Sequence, residues 1–131
     1  MKCLLDVNAL VALGFLQHEF HQRVARWILK SVPSIATCAI TELGFVRVLA
    51  QALQYGLTVG EARNLLSKLK TSNALEFAFL SDDRDISQLP AWVRTPRQLT
   101  DGHLLQLAKA NGFALATLDK KIPGAYLIPE P

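Results

Sequence analysis

Cysteine and histidine are scarce in this chain: 131 residues contain Cys3, Cys38, His18, His21 and His103 and no others of either type. Two thiols make neither a disulfide framework nor a zinc-ligand set, and both lie in apolar strand-like runs where free thiols are commonly buried. The histidines supply no metalloprotease helix, because His18-Glu19-Phe20-His21 is one residue short of the H-E-x-x-H spacing that sets two imidazoles on one face. No apolar run approaches the roughly 18 residues that read as a membrane span. The opening Met1-Lys2-Cys3-Leu4-Leu5 is cut by Asp6 and Asn8 before it can serve as a secretory core, and no small-residue cleavage site follows. The expectation is a cytoplasmic protein with no membrane partner. Charge is modest: a formal net charge of +3 fits a phosphate-bearing partner without naming one.

What the chain has is apolar residues, half of the total, enough for one sizeable core in one domain spanning residues 1–131. The run Leu4-Leu5-Asp6-Val7-Asn8-Ala9-Leu10 reads as a strand stopped by a carboxylate and followed by a short helix, which Asn8 can cap. Helical spacing of Phe20, Val24, Trp27 and Ile28 predicts an amphipathic helix from His18 to Lys30. Ser34 to Cys38 is a second strand, leading into a helix from Ala39 to about Leu53. Thr58-Val59-Gly60-Glu61 matches a capping box that opens a helix to about Lys70. Leu75 to Leu80 is a third strand, and Ser81 to Asp85 is a polar stretch read as a solvated loop. Thr100 is a natural N-cap for a helix from Asp101 to Asn111, which Gly112 stops. Phe113 to Thr117 is a fourth strand, tipped by Asp119, and Ala125 to Ile128 a last, edge strand. Strands alternating with helices predict a three-layer α/β fold: a central, mainly parallel sheet flanked by helices, with right-handed crossovers.

Four of the eleven acidic residues share a setting. Asp6 and Asp119 follow apolar strands, and Glu42 and Asp101 open helices, so all four can meet at the carboxyl edge of the sheet, where open α/β folds bind ligands. Helix N-termini favour an anion by about 0.3 to 1 kcal/mol. That cannot offset several carboxylates repelling one another, at about 4 kcal/mol per pair for a separation near 4 Å and an effective dielectric of 20. A shared cation resolves the conflict. Hard oxygen donors without histidine or thiolate suit Mg²⁺, or Mn²⁺, rather than zinc. Such an ion lowers the pKa of its water and offsets charge on phosphate, which is the chemistry of phosphodiester hydrolysis.

Taken together, Leu4-Leu5-Asp6-Val7-Asn8-Ala9-Leu10, Thr41-Glu42, Leu99-Thr100-Asp101-Gly102-His103-Leu104-Leu105 and Leu115-Ala116-Thr117-Leu118-Asp119 resemble the successive motifs of PIN-domain nucleases. Length and motif order are similar to the VapC-type ribonuclease toxins of toxin-antitoxin pairs. The resemblance spans nearly the whole chain and implies a PIN-like fold and a metal-dependent endoribonuclease, the toxin of a type II system. It implies Asp6, Glu42, Asp101 and Asp119 as the metal-binding, catalytic acids, Asn8 as a supporting polar residue, and Thr117 as the hydroxyl beside the last acid. It further implies Mg²⁺ as cofactor, RNA as substrate, a homodimer, and a cognate antitoxin that occupies the acidic pocket. Lys120 and Lys121 stand where some relatives carry a further acid.

Two rival readings are open from the residues alone. Phosphoryl transfer through Asp6 would place a second acid two residues on, where this chain has Asn8. A PIN-like interaction module would use the acids only to receive a basic partner peptide. Arg23, Arg26, Lys30, Arg94 and Arg97 are candidate phosphate contacts, and Tyr55 and Trp92 candidate base-stacking or core aromatics.

Overall fold

Cys3 and Leu5 face one way and Leu4 the other, the period-2 alternation of a strand buried on both sides. In the computed structural model, which describes residues 1–131, this strand is β1 (Lys2–Leu5), at the centre of a five-stranded sheet. The others are β2 (Ser34–Cys38), β3 (Phe77–Leu80), β4 (Ala114–Thr117) and β5 (Tyr126–Leu127). Their order is β3-β2-β1-β4-β5, and every pairing is parallel. All five carboxyl ends therefore lie along one edge. The chain winds outward from β1 to β2 and β3, then returns to lay β4 on the other side of β1. The order reverses between β1 and β4, and that switch point is where a crevice opens in sheets of this kind.

Five helices cover the sheet: α1 (Val7–Gly14), α2 (His21–Ser31), α3 (Ala39–Gln51), α4 (Val59–Thr71) and α5 (Leu99–Ala110). One core contains Cys3, Leu5, most of α1, Val24, Trp27, Phe45, Leu49 and Leu66. The other packs Leu4, Ala36, Cys38 and Leu115 against Leu104, Leu105, Leu107 and Ala108 of α5. The expected three-layer α/β architecture is the one observed. Trp27 is buried, with its indole N–H unpartnered.

Local differences from the sequence reading have identifiable causes. The N-cap of α1 is Asp6, not Asn8: the Asp6 carboxylate accepts the Val7 N–H at 2.8 Å. The second helix begins at His21 rather than His18, because residues 15–20 form turns. Thr100 does not cap α5. A 3-10 turn at Pro96–Gln98 runs directly into that helix, so Gln98 takes the capping position and Thr100 lies in the first turn. The box at Thr58 and Glu61 forms as the sequence predicts, with both reciprocal hydrogen bonds present.

Candidate active site at the switch point

Asp6 leaves the carboxyl end of β1 and is only 5% exposed, so its charge must be met by hydrogen bonds. One carboxylate oxygen takes the Val7 N–H, and the other accepts the Thr117 hydroxyl at 2.7 Å. Thr117, fully buried at the end of β4, joins three segments through that hydroxyl. It donates to Asp6 and accepts from the Asn8 side-chain amide at 3.2 Å and from the Asp119 N–H at 3.0 Å. Asn8 completes the link, its Oδ1 accepting the Leu118 N–H at 3.1 Å. Residues more than 100 positions apart are thus fastened across the β1–β4 crevice. The next turn is fixed by the Asp119 carboxylate, which accepts the Lys121 N–H at 2.9 Å.

Asp101 reaches the same crevice from the first turn of α5. Its approach depends on Gly102, where a Cβ would stand 2.2 Å from Val93 Cγ2 and 3.3 Å from Pro90 Cδ. The loop around Pro90 packs directly onto the start of α5 at that position. Asp6, Asp101 and Asp119 line one cavity of about 430 Å³, with Asn8 and Thr100 beside them. Their electrostatics are coupled. Burial, then the charges of Asp6 and Asp119, push the Asp101 carboxyl up to about 6. Burial also raises Asp6, with the Thr117 and Val7 hydrogen bonds working against it and Asp119 adding to it.

The fourth acid lies apart. Glu42, in the first turn of α3, accepts the Thr37 hydroxyl at 2.6 Å and forms an ion pair with Lys70 of α4. It lines a separate cavity between α3 and α4. No three His, Cys, Asp or Glu side chains stand close enough to enclose a cation by themselves. His103 is turned away from the crevice, between Asp82 and Gln106. Asp82, Asp83 and Asp85 lie exposed in a loop, as the sequence predicts, and Asp82 in addition contacts His103. Burial alone would raise the Asp82 carboxyl, but hydrogen bonds from His103 and the Arg84 N–H, with the charges of both residues, hold it below its ordinary value.

Two further residues complete the crevice, Tyr55, which the sequence offers as a base-stacking or core aromatic, and His18, to which it assigns no site role. His18 and Tyr55 line the cavity with the acids. Each lies in a connection between helices, and neither carries a motif, although Tyr55 is one of only two tyrosines in the chain. Burial keeps the His18 imidazole below its ordinary value, opposed by Glu19 and helped by His21.

Fold and site together define a parallel α/β protein whose acidic crevice sits at the topological switch point. The model of the PIN domain family matches residues 3–126, and the chain belongs to that family. It is 40% identical over 121 residues to Ribonuclease VapC38 of Mycobacterium tuberculosis, an alignment covering 88% of this chain and 84% of that relative. Among solved structures it is similar to Mycobacterium tuberculosis VapC20, a sarcin-ricin loop cleaving toxin, with a TM-score of 0.66, 13% identity and coverage of 98% and 99% of the two chains. It is likewise similar in fold to VapBC2 from Rickettsia felis bound to a promoter DNA fragment, with a TM-score of 0.56, 16% identity and 97% coverage of each chain.

Proposed function

We infer that this chain is an endoribonuclease, the toxin of a type II toxin-antitoxin pair, that hydrolyses RNA phosphodiester bonds with the help of Mg²⁺ or Mn²⁺. The observation that carries the reading is the convergence of Asp6, Asp101 and Asp119 on one cavity, with burial and mutual repulsion raising the Asp101 carboxyl. The donor set fits a hard divalent cation, which Mg²⁺ sites typically hold with one or two carboxylates, several waters and phosphate oxygens rather than a closed protein cage. When bound, the cation supplies Lewis-acid polarisation of water and phosphate.

The residues of the chain do the rest. Thr117 and the Val7 N–H fix both oxygens of Asp6, so one edge of the cation-binding set is oriented before anything binds. Asn8 holds the β4 turn and therefore the direction of Asp119. Asp101, raised by burial and by the charges of Asp6 and Asp119, is a carboxylate whose charge a bound cation would relieve. Glu42 enters as the fourth acid only by leaving Lys70, whose ammonium already neutralises its charge.

Partners follow from the same reading. RNA is the substrate, a cognate antitoxin presents a basic side chain to the acids as inhibitor, and the toxin works as a homodimer. No helix is long and apolar enough to cross a membrane, and Cys3 and Cys38 are both free and buried; we assign the protein to the cytoplasm. Residues 1–131 act as a single nuclease domain. Cleavage of an RNA mixture by the purified chain tests the activity. Cutting is expected with Mg²⁺ or Mn²⁺ and is expected to cease with excess chelator and in Asp6→Asn, which retains a helix cap. Undiminished cutting in either case would remove the metal-assisted reading.

A further inference from the structure

The acidic cavity has an aromatic wall that the hydrolytic reading does not use. The His18 and Tyr55 rings are within 9° of parallel, with centroids 6.4 Å apart, and both line the cavity of Asp6, Asp101 and Asp119. Both are held in place. Phe15 meets Tyr55 edge to face at 4.9 Å, and His18 Nδ1 accepts the Phe20 N–H at 3.0 Å, which leaves its other nitrogen to carry the proton. On the opposite side, Asp101 and Asp119 also line a second cavity, of about 250 Å³, that contains Trp92 and, unlike the first, the cations Arg97 and Lys121. Two acids thus separate a chamber walled by a parallel ring pair, with no cation, from one that carries cations.

A polymer with a phosphate at the acids must leave the crevice in two directions, and the two chambers offer different chemistry to its two parts. A nucleobase has a π face that stacks on aromatic side chains, and a backbone phosphate seeks cations. We propose that single-stranded RNA crosses the acids from one chamber to the other, with the base beside the scissile phosphate stacked on the His18–Tyr55 wall and the neighbouring backbone held by Arg97 and Lys121. The proposal rests on the endoribonuclease reading and deepens it. The chain then selects a site whose base is already unstacked, in a loop or a free strand, and rejects a continuous duplex, whose bases are not available for stacking.

The test uses a short single-stranded RNA that the wild type cuts, carrying 2-aminopurine at one position at a time. It is bound to Asp6→Asn with Mg²⁺ so that it is not consumed. Fluorescence is expected to be quenched at a position adjoining the cut bond. The quench should vanish with Tyr55→Leu or His18→Ala added, and persist with Tyr55→Phe. In the otherwise wild-type chain, Tyr55→Leu should raise KM roughly tenfold to a hundredfold, about the worth of one stacked base, with a smaller change in kcat. Arg97→Ala and Lys121→Ala should each weaken binding and flatten its salt dependence while leaving the quench in place. No quench beside the cut bond, a quench that survives both Tyr55→Leu and His18→Ala, or equal cutting of the same sequence in a duplex would overturn the proposal. Thermal melting separates lost stacking from lost folding. If Tyr55→Leu melts early, His18→Ala decides alone, since His18 lies in a turn outside the helices. Chelator-insensitive cutting would instead sink the metal-assisted reading, while metal-dependent cutting without the quench sinks only the stacking wall.

Discussion

Replacing Asp101 by Asn should make the metal-free protein more stable while destroying its activity. The Asp101 carboxyl rises from its ordinary value of 3.8 to about 6 through burial and the charges of Asp6 and Asp119. Undiluted, such a shift corresponds to about 3 kcal/mol at 1.36 kcal/mol per pH unit. The side chain is partly open to water, and screening reduces this to about 1–2 kcal/mol. A first-turn acid also gains about 0.5 kcal/mol from the helix dipole, which the substitution gives up. The net expectation is roughly 1 kcal/mol, or about 4 °C in Tm for a domain of this size. The sign follows from linkage. A carboxyl whose pKa is higher folded than unfolded makes the folded state bind more protons between those two values, so stability falls as pH rises from about 4 to about 6, and the penalty is complete above that. Melts of chelator-treated wild type and Asp101→Asn from pH 4 to pH 8 should therefore coincide at the acid end and separate at neutral pH, with the variant higher. A variant that melts at or below the wild type at pH 7.5 would refute the claim that Asp101 sits in an unfavourable field of like charge.

Other substitutions probe how the crevice is held. Thr117→Val removes the hydroxyl that serves Asp6, Asn8 and Asp119 at once; it should cost about 1–3 kcal/mol in denaturant unfolding and lower kcat at least tenfold, and near-native activity would deny that hydroxyl its ordering role. Gly102→Ala sets a methyl against Val93 and should cost about 1–3 kcal/mol, with Val93→Ala restoring part of the loss; no change in Tm would show that the 90s loop yields freely. Lys70→Met frees Glu42, and Mn²⁺ affinity measured by calorimetry should rise at least threefold; unchanged affinity would take Glu42 out of the cation-binding set.

Much of this architecture could be read from residue order because local signals agreed with the global fold. The Thr58–Glu61 box, the apolar run of β1 and the glycine after α5, which takes φ +75, each act within a few residues of themselves. Parallel strands with acids at their ends then placed Asp6 and Asp119 on a common edge. Most of the differences are non-local. Asn8 looks like a helix cap, yet its side chain serves residues 117 and 118, and only the pairing of β1 with β4 brings them together. Thr100 has the chemistry of a cap, but a 3-10 turn opened by Pro96 starts the helix two residues earlier. The pairing of Glu42 with Lys70 depends on the packing of α3 against α4, and the contact of Asp82 with His103 on a loop folding back over α5. His18 and Tyr55 meet because two interhelical turns converge, which no periodicity records.

The proposed site needs Asp6, Asp101 and Asp119 to hold one divalent ion together with its waters. Calorimetric titration of Mn²⁺ into the metal-free protein at pH 7.5 measures this directly. Saturable binding is expected in the wild type, at least tenfold weaker in each of Asp6→Asn, Asp101→Asn and Asp119→Asn, and weakening as the pH is lowered through about 6, where Asp101 takes up a proton. Binding of equal strength in all four proteins would place the ion elsewhere and contradict the account.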